Sequence, residues 1–139
     1  MPTALQSVDQ AQAAFYRAFS EADLEAMAAV WADDRPVACV HPSGPRHEGL
    51  PAVLASWKRI FSGASGTSIG VLERERSASS NLAVSWVVEE IGVDNPGVNR
   101  AEVLATNVYA RTPNGWRMVL HHASMAPGPS STPRTPTHH

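Results

Sequence analysis

The 139-residue sequence predicts a single α+β domain, and three observations carry that expectation. Apolar residues recur at helical spacing in three segments, all before residue 62. From residue 67 onward the pattern changes to β-branched and aromatic runs separated by turn residues. Two of those runs, within Ala105 to Ser124, flank Pro113-Asn114-Gly115. Asn-Gly between strand-like runs marks a hairpin, because both residues tolerate the positive φ that its turn requires. Helices followed by consecutive antiparallel strands place the helices on one face of a curved sheet.

The elements follow in order. Val8, Ala11, Phe15 and Phe19 share one face of a helix over 7–19, with Ser7 able to cap it. A second helix starts in Ser20-Glu21-Ala22-Asp23, carries Leu24, Met27, Ala28 and Trp31 as its apolar stripe, and stops before Pro36. Val37 to His41 reads as a short strand with Val37, Cys39 and His41 on one face, followed by a Pro-Ser-Gly-Pro loop over 42–45. The third helix, 49–61, takes Pro51 in its first turn and lines Val53, Trp57 and Ile60 along one side. Four strands complete a meander, over 67–76, 82–91, 101–111 and 116–124, with a turn at Asp94-Asn95-Pro96-Gly97. The domain is expected to span residues 1–125. Four of the 11 prolines fall in 126–139, which has no apolar periodicity and reads as a flexible tail rich in Pro, Ser and Thr.

Composition narrows the function classes. A formal charge of −2 gives no footprint for nucleic acid or an anionic membrane surface. The single cysteine, Cys39, allows no internal disulfide, and no apolar run approaches the ~20 residues of a membrane span. The expectation is a cytoplasmic protein. His41, His47, His121 and His122 show no metal-ligand spacing, neighbouring histidines on a strand point to opposite faces, and no nucleophile elbow or phosphate loop is present. No metal and no cofactor are expected.

Several strings together carry a family resemblance: AFYRAFSEADLEAMAAVWADD, VACVHPSGPRHEG, LPAVLASWKRIF and NVYARTPNGWRMVLHHAS. They resemble the SnoaL-like, ketosteroid-isomerase-like members of the nuclear transport factor two superfamily. Gly115-Trp116 and His122-Ala123-Ser124 are also similar to the end of the association domain of calcium/calmodulin-dependent protein kinase II. The resemblance implies a cone, with three helices packed on the concave side of a strongly curved, mostly antiparallel sheet around a pocket. It also implies a homodimer through the sheet, with larger rings in the kinase case. The superfamily hosts isomerases, dehydratases and non-catalytic assembly domains, so it leaves the activity open. A steroid-isomerase mechanism needs a carboxylate base and a tyrosine in the first helix. The matching positions here are Cys39 or His41 for the base and Phe15 for the tyrosine, so that route is not expected.

Candidate site residues follow from parity and chemistry. Parity sends one of His121 and His122 toward the pocket and the other toward the dimer side, and the resemblance favours His122 for the pocket. His41 and His122 are therefore the expected acid–base pair, since an imidazole titrates near neutral pH. His122 shares parity with Trp116, Met118, Leu120 and Ser124, and the hairpin carries that face to Asn107 and Tyr109. His121 is expected on the opposite, dimer side. Each histidine also has a plain reading: a strand-end hydrogen bond for His41, and a core partner for His122. Trp57, Trp86, Tyr109, Asn107, Cys39 and Tyr16 are the expected ligand contacts, with core packing as the alternative for the aromatics. The expected ligand is a small hydrophobic or carboxylate-bearing molecule, with Arg74 or Arg100 available to hold a carboxylate. A pure association module is the alternative function.

Overall fold

The computed structural model describes residues 5–63, 67–93 and 101–127. The expected turn at 94–97, Arg100 and the tail beyond Pro127 lie outside these residues. Helix α1 spans Val8–Glu21 and starts where the Ser7 side chain accepts a hydrogen bond from the Gln10 amide. It ends at Ala22, whose left-handed conformation (φ 53°) turns the Ala22 and Asp23 N–H groups back to the Phe19 and Ala18 carbonyls. Asp23 then caps α2, Leu24–Val30, by accepting from the Ala26 amide at 3.0 Å. The break between the two helices therefore falls at Ala22–Asp23, slightly later than Ser20.

Trp31 is not part of the α2 helix. It is extended and bridges Met118 in parallel, and the Ala32 N–H donates to the Met118 carbonyl at 3.0 Å. Strand β1 covers Ala38–Val40, β2 Arg46–Glu48, and α3 Leu50–Gly63. The long strands are β3 (Thr67–Ala78), β4 (Leu82–Val93), β5 (Ala101–Thr112) and β6 (Gly115–Met125). The sheet order is β2-β1-β6-β5-β4-β3, antiparallel except where β1 runs parallel to β6. That pairing puts Cys39 beside His121 and Val40 beside His122. The small β2 strand, absent from the sequence reading, extends the edge by pairing with β1. The result is the expected α+β arrangement: three helices on a six-stranded, curved, mostly antiparallel sheet.

Alternation along the long strands divides the sheet into two faces. Ala83, Ser85, Val87 and Glu89 of β4 are buried with Val103, Ala105, Asn107 and Tyr109 of β5 and with Met118, His121 and Ala123 of β6. These pack with Phe15, Tyr16, Val53 and Trp57 from the helices. The other parity stays open: Leu72 is 56 % exposed, Trp86 39 % and Leu104 43 %.

One irregularity decides the parity of the histidines. Val108 pairs with Leu120 but Tyr109 pairs with Met118, so Val119 is an extra residue in β6. Such a bulge shifts alternation by one position. Met118 and His121, three residues apart, therefore both face inward, and His122 faces outward.

The hairpin turn is held by a close backbone approach. Gly115 has φ +98°, and a Cβ there would run into the Leu5 carbonyl oxygen, which accepts from the Trp116 amide at 2.7 Å. Gly115→Ala is expected to destabilise the fold by about 2 kcal/mol or more, from the positive φ together with the clash. Gly49→Ala shares the positive φ (+87°) but meets nothing within 4 Å, and should cost less. Urea denaturation of the two variants checks the ordering.

Candidate active site

The polar interior begins with Glu73, whose carboxylate can only accept hydrogen bonds. Burial pushes its pKa up, but the Ser85 hydroxyl, the Arg76 guanidinium and the Gln12 amide outweigh that and hold it below the ordinary value. Gln12, on the inner face of α1, donates through Nε2 to Glu73 Oε2 (3.0 Å) and to Ser85 Oγ (3.1 Å). Its Oε1 is thereby turned the other way, to accept from the Tyr109 hydroxyl (2.7 Å) and from Asn107 Nδ2 (3.2 Å). Asn107 Nδ2 also donates to the Tyr16 hydroxyl at 2.9 Å, so its Oδ1 is left facing His121 Nδ1 at 2.6 Å. An amide oxygen only accepts, so Nδ1 carries the proton and Nε2 bears the lone pair.

That lone pair lies 3.9 Å from Glu89 Oε2, which also accepts from the Tyr16 hydroxyl at 2.6 Å. Glu89 and His121 are each 1 % exposed. Burial raises the Glu89 pKa to about 7, against a smaller lowering by the Tyr16 hydrogen bond. Burial, with the neighbouring His41 and His122, lowers His121 to about 3. Tyr16 and Tyr109 are both pushed above the ordinary phenol range, chiefly by burial. Near neutral pH the cluster thus holds a neutral imidazole, two phenols and a carboxyl group that exchanges its proton. It can donate a proton from Glu89 or accept one there.

Aromatic rings close the remaining space. Trp57 lies edge-on to Phe15 (5.6 Å between ring centres), Phe19 (4.8 Å) and His41 (4.7 Å), and 5.9 Å from His121. It is fully buried, and its indole N–H has no acceptor among the described residues.

Several expected site residues meet here: Tyr16, Asn107 and Tyr109 within the hydrogen-bonded cluster, and Cys39 and Trp57 buried beside it. His41 is half-buried on the same side, its ring edge-on to Trp57 and its Nε2 3.7 Å from Cys39 Sγ. Ser56 Oγ donates to the Val53 carbonyl, so it accepts from His41 Nε2 at 2.9 Å. Burial, His47 and Arg59 lower the His41 pKa to about 4, and burial raises the Cys39 thiol to about 12. His122 and Trp86 need correction. Both lie on the outer face, in a groove with Arg74, Leu104, Leu120 and Ser124, so His122 is not paired with His41.

Gln12, Glu73, Ser85, Glu89 and the inward His121 were not anticipated as one group. The Glu89 signal was present: a carboxylate on the same parity as Ala83, Ser85 and Val87 within a valine-rich run. Among the described residues, no three His, Cys, Asp or Glu side chains converge as a metal-ligand group. Nor is any described helix long and apolar enough to cross a membrane.

The cone of three helices over a bent sheet matches solved structures. Residues 8–128 match the SnoaL-like domain, and the chain belongs to that family. A candidate calcium/calmodulin-dependent protein kinase type II association domain from Thiobacillus denitrificans is 35 % identical. Its TM-score is 0.83, with 91 % of this chain and all (100 %) of that one covered. A protein of the NTF2-like family from Streptomyces avermitilis, assigned as a candidate dehydratase, is 31 % identical with a TM-score of 0.78, covering 87 % and 94 %. The F-box protein SKIP8 of Arabidopsis thaliana is 29 % identical over 111 residues, 80 % of this chain. The chain spans about half of that relative's length (46 %).

The two kinds of buried group pull stability in opposite directions with pH. Glu89 holds its proton more tightly when folded, so its contribution is full below the unfolded value of 4.5 and is lost as pH rises through about 7. His41 and His121 hold theirs less tightly, so their contribution is full above 6.5 and is lost as pH falls through about 4 and 3. Glu89→Gln should remove only the alkaline limb. Its stability relative to wild type is expected to improve by about 3 kcal/mol between pH 4 and pH 8.5, from the shift of Glu89 between 4.5 and about 7. Denaturant titrations at the two pH values measure this, and an unchanged difference would show that folding leaves the Glu89 pKa unshifted.

Proposed function

We propose that the protein binds a small hydrophobic molecule bearing a carbonyl or hydroxyl group, and moves a proton on it in an isomerase- or dehydratase-like reaction. The observation that carries this reading is a buried carboxyl group with a pKa of about 7, set between a tyrosine hydroxyl and the lone pair of an imidazole. A group that titrates near the operating pH is well matched to general acid–base work. Glu89 is the proton carrier in this reading. His121 Nε2 is an acceptor beside it, and Tyr16 a hydroxyl donor. His41 then serves to hold the Trp57 wall through Ser56. The relative assigned as a candidate dehydratase supports the same reaction class.

The protomer is proposed to act as a homodimer through the outer sheet face, where Leu72, Trp86 and Leu104 are exposed. The second reading, a non-catalytic association domain, is favoured by the same apolar face together with the 35 % identical candidate association domain.

Proton exchange tests the catalytic reading. Small enolisable ketones and β-hydroxy carbonyl compounds in D₂O should gain deuterium next to the carbonyl faster with the protein than in buffer. The rate should fall about 100-fold or more in Glu89→Gln, the usual weight of a general acid–base group. No exchange above buffer, or an unchanged rate in Glu89→Gln, would remove this function. Sedimentation separates the assemblies: a dimer that Trp86→Lys dissociates fits the proposal, and rings of many subunits fit the association domain.

A further inference from the structure

A second site lies away from the interior cluster, where the chain leaving α2 crosses the tip of the β5–β6 hairpin. Trp31 bridges Met118 there, and the turn at Pro113-Asn114 forms the facing wall. Between them is a cleft of about 330 Å³ lined by Trp31, Asp33, Leu50, Pro113, Asn114 and Arg117, among others. We propose that this cleft binds a small monocarboxylate with an apolar body, anchored by the Arg117 guanidinium.

The first argument is the state of Arg117. It is only 7 % exposed, yet its one hydrogen bond among the described residues runs from Nη1 to the Trp116 carbonyl at 3.0 Å. Arg17, Arg35, Arg46 and Arg76 each have a carboxylate within 4 Å. Arg117 has none among the described residues and is the buried arginine among them. A largely covered guanidinium with N–H donors left free of protein partners among the described residues is well matched to a bidentate carboxylate. Burial accordingly draws its pKa down, and Asp33 opposes this only from a distance.

The second argument is the lining. Leu50 and Pro113 supply apolar surface for a ligand body, backed by Trp31, which is 2 % exposed and whose indole N–H lacks an acceptor among the described residues. Asp33 on the same cleft is exposed and negative, so it disfavours a second anionic group on the ligand. This selects a monocarboxylate over a dicarboxylate.

Benzoate, its neutral counterpart benzamide and the dianion phthalate are the probes, titrated into the full chain and followed by NMR. Benzoate should bind saturably in the millimolar range or tighter, about the strength expected of a fragment held by one anchor. It should shift the Arg117 Nε–H and Trp31 Nε1–H resonances, while benzamide and phthalate bind at least about tenfold more weakly. Arg117→Gln should weaken benzoate about tenfold or more, and Arg117→Lys should recover part of the loss. Asp33→Asn should tighten benzoate and admit phthalate. Equal binding of benzoate and benzamide would overturn the proposal, as would absent binding or shifts confined to residues around Glu89. Should Arg117→Gln fail to fold, the wild-type shifts and the exposed Asp33→Asn variant still decide the matter. Glu89→Gln should leave benzoate affinity unchanged, which separates this site from the interior one.

Discussion

The interior depends on one directional constraint: a carboxylate accepts hydrogen bonds and cannot give them. Glu73 turns the Gln12 amide nitrogen toward itself, and every later donor and acceptor follows from that orientation. Gln12 orients Asn107, Asn107 orients His121, and the His121 lone pair ends beside Glu89. The relay crosses from α1 to β3, β5 and β6, so it ties the helix layer to the sheet as well as choosing a tautomer. Each member is partnered, which lets so many polar groups stay buried without the desolvation cost of orphaned ones.

Charge is arranged as deliberately along this chain as direction. At the Glu73 end, near solvent, Arg76 and its partner Asp9 keep the carboxylate ionised. At the Glu89 end no cation lies within ion-pair distance among the described residues, the nearby His121 imidazole being neutral, so burial wins and the carboxyl retains its proton to about pH 7. Two glutamates on adjacent strands thus have different acidities because one is hydrogen-bonded by cationic and hydroxyl donors and the other is buried with a single phenol donor. The same contrast separates the arginines. Arg76 is spent on holding Glu73, whereas Arg117, buried near the hairpin tip, has no such partner among the described residues.

A single extra residue reassigns the histidine pair. Strict alternation from Trp116 would send His122 inward, but Val119 is unpaired in the ladder and resets the count. His121 becomes the interior residue opposite Asn107. His122 joins Trp86 and Leu104 on the outer face. Inserted between Met118 and Leu120, the bulge serves both faces at once: it brings His121 to the relay and leaves the outer surface apolar.

Local chemistry along the chain was enough to determine the three helices, the hairpin at Asn114-Gly115 and the long strands, because capping, periodicity and turn residues act over a few positions. The SnoaL-like family was legible only as a resemblance of longer strings. It also singled out Tyr16, Asn107 and Tyr109. Tertiary structure alone decided three things: the parallel pairing of β1 with β6, the bulge at Val119, and the company kept by Gln12, Glu73, Ser85 and Glu89. Hydrogen bonds between residues 61 to 97 positions apart leave no mark in any short window of sequence. A bulge is an unpaired residue in a ladder, defined only once both strands are in register. That is why the histidine pair was visible in the sequence while the choice between its members was not.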